Sequence, residues 1–203
     1  MNAAEMTALL MLCTAMSFTP GPNNTLSTAL AANFGLRRAL RFVLSVALGW
    51  GALLCLCASG VGALVVSLPP LRWAVTASGV AYLLWMAWKL WHAHQLAQTD
   101  TSHLDVTFWQ GVMLQFLNIK AWMLALTVVA GWLAGRADLW QRFAVVLPLL
   151  LGFALASNLS YALVGTLLRH WLADAAHGGR RLRWFNRSMA GVLVATAAWM
   201  ATL

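Results

Sequence analysis

Long uncharged segments separated by short charged stretches make up almost the whole sequence. The first segment, residues 6–36, contains no charged side chain, and the basic stretch that begins at Arg37 ends it. A helix that crosses a bilayer needs about 20 predominantly apolar residues. The pattern therefore predicts six transmembrane helices within residues 6–36, 42–68, 73–88, 108–134, 143–168 and 188–203.

The composition leads to the same class of protein. Hydrophobic residues make up 62% of the 203 residues and charged residues 9%, whereas soluble domains contain about 25% charged residues. So few charges cannot cover a water-facing surface, which excludes a soluble enzyme, a soluble binding module and a disordered tail. We predict an all-α polytopic membrane protein with a single membrane domain, residues 1–203.

The basic residues predict an orientation in the membrane. They lie in clusters between the apolar segments, which argues against nucleic acid as a partner in spite of the net charge of +8. Cytoplasmic connections are enriched in Lys and Arg, and the odd-numbered connections carry most of them: Arg37, Arg38, Arg41, Lys89, Arg169, Arg180, Arg181, Arg183 and Arg187. Both termini are then periplasmic, and without a basic start the first segment is expected to be retained rather than cleaved.

Two spans carry polar or helix-breaking residues near the middle of the membrane. They are the first and the fourth, each the first span of a group of three, which suggests an inverted three-plus-three repeat. The halves would be residues 1–95 and 107–203, joined by a cytoplasmic connection, residues 96–106.

The first of these spans is predicted to be a broken helix. Pro20 and Pro22 each remove a backbone donor, and lipid tolerates such a break only where protein or a wet cavity surrounds it. Pro22 suits the first turn of a restarted helix, whose N-terminus attracts anions, and Asn23 and Asn24 add amide groups. The alternative is a kink with two satisfied Asn side chains and no ligand.

Lys120 is the ionisable residue that lies deep in a predicted span. At 1.5 Å per residue it lies roughly 18 Å along its helix, and charges at such depth are costly and mark functional sites. The alternative is a structural Lys bonded to carbonyls at a helix break. Asn118, two residues earlier, would face the opposite side of a regular helix, so a site that uses both requires a distorted helix.

Further polar groups are candidates for the same cavity. They are Gln115, Asn158, Tyr161 and Tyr82, although interhelical hydrogen bonds would explain each of them equally.

Several chemistries are unsupported by the sequence. No Asp or Glu lies inside a predicted span and the His residues are assigned to connections, so we expect no metal site, no cofactor and no catalysis. A thiol–disulfide electron carrier would need facing cysteines, and the fourth span has none.

At these residues the sequence resembles the LysE/RhtB family of bacterial amino-acid exporters along essentially its whole length. The family's Pro-Gly-Pro-Asn signature stands here as Pro20-Gly21-Pro22-Asn23, and its Asn-Pro-Lys as Asn118-Ile119-Lys120. Further matches are Gly35, Arg37, Arg38, Gly79, Tyr82, Leu83, Trp88, Lys89, Asn186, Arg187 and Gly191. The branch that exports cysteine and O-acetylserine also lacks the Pro that Ile119 replaces.

The resemblance implies a secondary transporter of the bacterial inner membrane. It would export small amino acids or derivatives, either cysteine/O-acetylserine-like or homoserine/threonine-like, in exchange for protons. Because no acid lies inside a predicted span, Lys120 is the candidate to carry the coupled proton. The implied partners are the amino acid, protons and the lipid bilayer, with a homodimer possible. The competing hypothesis is a membrane scaffold or assembly subunit that transports nothing.

Overall fold

The computed structural model describes residues 1–93, 106–172 and 179–202, and within these ranges the regular structure is helical, as predicted. Most of the predicted 96–106 connection lies outside the described residues. The helices are α1 (Ala3–Phe18), α2 (Pro22–Phe34), α3 (Leu36–Ala58), α4 (Val61–Ser67), α5 (Pro69–Trp91), α6 (Phe108–Leu117), α7 (Ile119–Val128), α8 (Leu139–Leu172) and α9 (Arg180–Met200). A π-helical turn, Val129–Leu133, continues α7.

The first and fourth predicted spans are both broken helices. The chain bends by 50° between α1 and α2 and by 69° between α6 and α7. In the described residues, α3 and α8 alone are long and apolar enough to cross a membrane, and the two bent pairs bring the candidates to four. The count of six stays a prediction, because α5 and α9 have the length but are not among these candidates.

Several boundaries differ from those that hydrophobicity predicts. Residues 42–68 do not form one helix, because Gly60, in a left-handed conformation with φ of 91°, separates α3 from α4. At the other end of the protein, α8 continues to Leu172 and α9 already begins at Arg180. Basic residues assigned to connections therefore lie on helix ends, where their long side chains can reach outward to water.

Helix α2 lies at the centre of the packing. Every residue from Asn24 to Asn33 is buried, with α8, α3 and α9 around the helix. At its end, Asn33 Nδ2 donates to Asn186 Oδ1 at 2.8 Å, and Asn186 Nδ2 donates back at 3.1 Å. In an inverted repeat α2 would correspond to α7 and α3 to α8, so the α2–α8 pair would correspond to the α7–α3 pair; the repeat stays a prediction.

Glycines allow the helices to cross closely. A Cβ on Gly165 of α8 would lie 2.2 Å from the Thr28 carbonyl oxygen of α2, and one on Gly111 would lie 1.9 Å from Ser45 Oγ of α3. Small residues let helix backbones approach in a membrane, where association depends on packing. These contacts hold the α2 and α6 side of the molecule together tightly.

Charged residues connect the helices at the opposite side. Arg142 Nη1 lies 3.2 Å from Glu5 Oε2, and Arg142 Nε lies 2.7 Å from Asp138 Oδ1. The hydrogen bond from Arg142 keeps the pKa of Asp138 below its ordinary value. These ion pairs, with a bond from Trp132 Nε1 to the Glu5 carbonyl, hold the start of α1 beside the start of α8.

We expect Gly165→Ala to destabilise the protein by about 1–3 kcal/mol, because the added methyl group must push α2 and α8 apart. Gly152→Ala on the same helix is the matched control, since a Cβ there meets no atom within 4 Å. Thermal unfolding in detergent measures both variants. Equal melting temperatures would contradict the close α2–α8 contact.

Candidate functional site

A polar cavity lies where the two helix breaks meet. The space between its lining residues is about 610 Å³, which includes the part open to solvent. The polar part of its wall consists of Ser17, Thr19, Asn23, Asn24, Asn118, Lys120, Ser157 and Asn158. The remaining wall is formed by Met16, Gly21, Pro22, Val46, Trp50, Ala121, Leu124, Leu150 and Ala154.

The N-terminus of α2 faces this cavity without a cap. Pro22 occupies the first turn, and Gly21 is the N-cap residue and has no side chain to accept a hydrogen bond. In the described part of the chain, no acceptor is found for the backbone N–H groups of Asn23 and Asn24. Uncapped N–H groups and the helix dipole together favour an anion at this position.

The C-terminus of α1, by contrast, is well satisfied. The Ser17 carbonyl accepts from Asn24 Nδ2 at 2.9 Å and from Ser157 Oγ at 2.5 Å. The Phe18 carbonyl accepts from Tyr161 OH at 3.0 Å, and the Thr19 carbonyl from Asn24 Nδ2 at 3.1 Å. Side chains of α2 and α8 thus replace the bonds that the interrupted helix lost.

The second break occurs at Asn118, although no proline is present there. Asn118 has an extended backbone (φ −98°, ψ 97°), ends α6 and is the N-cap residue of α7. Trp122 Nε1 donates to the Phe116 carbonyl across the break at 2.9 Å. The distortion brings Asn118 and Lys120 into the wall of the same cavity, as a shared site requires.

The Lys120 ammonium lies beside the uncapped end of α2. A Cβ on Gly21 would be 3.8 Å from Lys120 Nζ. In the described residues, the ion pairs involve Glu5 and Asp138 and no acid pairs with Lys120. No hydrogen bond of its ammonium to a carbonyl is found there either, so the structural alternative for this lysine lacks its expected contacts.

Two amide side chains join the breaks. Asn23 Nδ2 donates to Gln115 Oε1 at 2.9 Å, and Gln115 Nε2 donates to Asn23 Oδ1 at 3.1 Å. On the α8 side, Ser27 Oγ donates to Asn158 Oδ1 at 2.9 Å. These bonds tie Asn23 and Asn158, which line the cavity, to Gln115 and Ser27, which lie behind its wall.

The cavity wall includes most of the site residues that the sequence suggests. It contains Gly21, Pro22, Asn23, Asn24, Asn118, Lys120 and Asn158, but not Pro20, Tyr82, Gln115 or Tyr161. Gln115 forms hydrogen bonds with Asn23, which lines the cavity. Tyr161 donates to the Phe18 carbonyl at the end of α1.

Tyr82 lies outside the cavity because α5 packs chiefly against α9. Its ring contacts Trp85, with centroids 5.6 Å apart, and its buried hydroxyl has no partner in the described residues.

Trp50 and Ser157 also line the cavity, although neither is among the candidates that the sequence suggests. Trp50 is 8% exposed, and only its place on α3 relative to the breaks reveals its role. Ser157 adjoins Asn158, a signal that could have found it. Within the described residues, no group of His, Cys, Asp and Glu side chains could hold a metal ion.

Apolar helices around a polar cavity at two helix breaks define a membrane transporter. The model of the LysE type translocator family matches residues 14–202, and the chain belongs to this family. No solved structure gives a significant match.

Three curated relatives carry the name cysteine/O-acetylserine efflux protein. The protein from Salmonella typhimurium (strain LT2) is 30% identical over 166 residues, which cover 82% of this chain and 83% of the relative. The one from Klebsiella pneumoniae is 30% identical over 187 residues, 91% and 92% of the two chains. That from Escherichia coli O1:K1 is 29% identical over 158 residues, 78% and 80%.

Asn24 and Lys120 are expected to differ in their effect on stability. Asn24→Ala removes the buried amide that donates to the Ser17 and Thr19 carbonyls and should cost about 1–3 kcal/mol. Lys120→Met should leave the melting temperature unchanged or raise it, because the ammonium gains no contact from the described residues. A large loss of stability in Lys120→Met would show that the lysine is structural.

Proposed function

We propose that this protein exports small amino acids or their derivatives through the cavity at the helix breaks, with cysteine/O-acetylserine-like compounds as the preferred substrates. The family supports transport rather than catalysis, and the names of the relatives support this class of substrate. The observation that carries the proposal is the unpaired Lys120 ammonium beside the uncapped N-terminus of α2. Two positive groups at one point of a lipid-embedded protein call for an anion.

The substrate carboxylate supplies that anion. It would lie between Lys120 and the free N–H groups of Asn23 and Asn24, where charge and hydrogen bonding both favour it. The missing Cβ of Gly21 leaves room for the carboxylate between them. Metal or cofactor groups have no part in this binding mode.

The remaining wall suits a short side chain. Trp50, Val46, Leu124 and Leu150 form the bulky apolar part of the wall. A thiol or an acetyl ester fits such a wall better than the free hydroxyl of homoserine or threonine, because an apolar wall leaves a hydroxyl without partners.

Transport would require the closed side of the cavity to open. The Asn23–Gln115 bonds, the Ser27–Asn158 bond and the close α2–α8 packing block one exit. Leu124 and Leu150 extend the wall toward the ends of α7 and α8 that lie near Glu5. With both termini in the periplasm, the structure would face outward, and rocking of the two halves would expose the site to the cytoplasm.

A C-terminal reporter that is active only in the cytoplasm should therefore stay inactive. A periplasm-specific reporter at the same position should be active. The opposite result would reverse the assigned orientation, and the cavity would then face the cytoplasm.

Lys120 is also the group that we propose for proton coupling, since it is the ionisable side chain in the cavity wall. Binding of the carboxylate would keep the ammonium protonated, and substrate release would free it to exchange its proton. Substrate movement in vesicles should then respond to an imposed pH gradient.

Lys120→Met should reduce export to background, at least about tenfold, because the carboxylate loses a charged partner. Lys89→Met is the matched control: Lys89 lies on the last turn of α5 above the Trp85 ring and should retain export. The measurement is efflux of labelled cysteine or O-acetylserine from cells that lack their own exporters. Full export by Lys120→Met, with normal membrane levels, would refute the binding mode.

Gly21→Ala tests the space beside the lysine. The backbone at position 21 is extended (φ −165°), a conformation that any residue adopts. The fold should therefore persist while the added methyl group occupies the proposed carboxylate position. Export should fall several-fold, whereas Gly131→Ala, where a Cβ meets no atom within 4 Å, should export normally. Unchanged export by Gly21→Ala would place the carboxylate elsewhere.

The scaffold hypothesis gives the opposite expectations. A scaffold should tolerate Asn23→Ala, Lys120→Met and Gly21→Ala, since none of these removes an exposed surface. A homodimer remains compatible with either function, and the mass of the purified protein in detergent would establish it.

A further inference from the structure

We infer that the side-chain oxygen of Asn118 accepts the α-ammonium group of the substrate and so restricts export to compounds with a free α-amino group. This inference rests on the proposed function, because it adds the second half of an amino-acid site to the carboxylate position. It starts from a buried polar atom that has no partner.

Asn118 is an N-cap residue that does not cap. Asn is favoured at this position because its side-chain oxygen accepts from a backbone N–H of the first turn, yet Asn118 makes no such bond to α7. The residue is 5% exposed and lines the cavity. Its Oδ1 is buried and receives no hydrogen bond from the described residues. Such a group in a native structure calls for an explanation, and a ligand is one.

The other amide oxygens around the cavity are already occupied. The Asn23 oxygen accepts from Gln115 and the Asn158 oxygen accepts from Ser27. The Asn24 oxygen lies 3.2 Å from the Ser157 hydroxyl, whose shorter contact is with the Ser17 carbonyl. The last carbonyls of α1 also accept side-chain donors. In the described part of the chain, Asn118 thus offers the unused amide acceptor of this wall.

The acceptor lies near the proposed carboxylate position. Asn118 precedes Lys120 by two residues at the same break, and an α-amino acid carries its ammonium and carboxylate on one carbon. The terminal torsion of Asn is broad, so rotation of the amide can present the oxygen to the cavity when a donor arrives.

A neutral acceptor also fits the charge of the site. A carboxylate at position 118 would form an ion pair with Lys120 and remove the positive charge that attracts the substrate. An amide accepts from an ammonium without competing for Lys120. Lys120 would therefore bind the carboxylate of a zwitterionic amino acid, and Asn118 would bind its ammonium group.

The test compares two isomers that differ in the position of one acetyl group. O-acetylserine keeps its ammonium, whereas N-acetylserine has lost it and retains the carboxylate. Both compete with labelled cysteine for uptake into everted vesicles, at a mildly acidic pH where the acetyl group does not migrate. Wild-type protein should prefer O-acetylserine by about tenfold or more, since a site built to bind a polar group rejects an analogue that lacks it.

Asn118→Leu has nearly the same size but no acceptor, and it should lose this preference, with both isomers competing within about twofold. Asn118→Ala provides the same test if the leucine variant does not fold, and melting temperatures establish folding. Asn118→Gln, which keeps an amide oxygen, should retain part of the preference.

The outcomes separate the two hypotheses. If wild-type vesicles transport cysteine and Asn118→Leu or Asn118→Ala keeps the full preference for O-acetylserine, the role of Asn118 is refuted while the exporter stands. If wild-type vesicles transport no amino acid, the proposed function itself fails.

Discussion

The absence of water inside a bilayer is the constraint on which the structure depends. Every backbone group that leaves a helix there needs another partner, and this chain interrupts two helices. At the first break, Asn24, Ser157 and Tyr161 supply donors to the last carbonyls of α1. At the second, the Trp122 indole donates to α6. Without these side chains, neither break would be tolerated.

The same side chains decide which atoms are left for a ligand. The last carbonyls of α1 accept from several side chains, but the N–H groups at the start of α2 find no acceptor among the described residues. At this break the carbonyl groups that end α1 therefore have hydrogen-bond donors, whereas the N–H groups that begin α2 have no acceptors in the described part of the chain. Lys120 adds a positive charge beside these N–H groups, and the proposed carboxylate position rests on this arrangement.

Packing density differs between the two sides of the cavity. On one side, α2 is buried along nearly its whole length, and glycines such as Gly165 bring backbones into contact. On the other side, ion pairs of Arg142 join the start of α1 to the start of α8. A transporter needs one side that can close and one that can open, and polar pairs such as Asn23–Gln115 can exchange partners at low cost.

The sequence by itself determined the class of protein, the break in the first span and the position of Lys120 within an apolar segment. Each is a local property: scarce charges exclude a soluble surface, two prolines remove backbone donors, and a charge within an apolar segment is costly wherever that segment packs. Only the tertiary structure decided that α6 breaks at Asn118 without a proline, that Trp50 lines the cavity and that Tyr82 does not. It also decided which amides pair, because Asn23 and Gln115 are 92 positions apart and Ser27 and Asn158 are 131 apart. Helix packing brings such residues together, and it alone leaves the Asn118 oxygen without a partner.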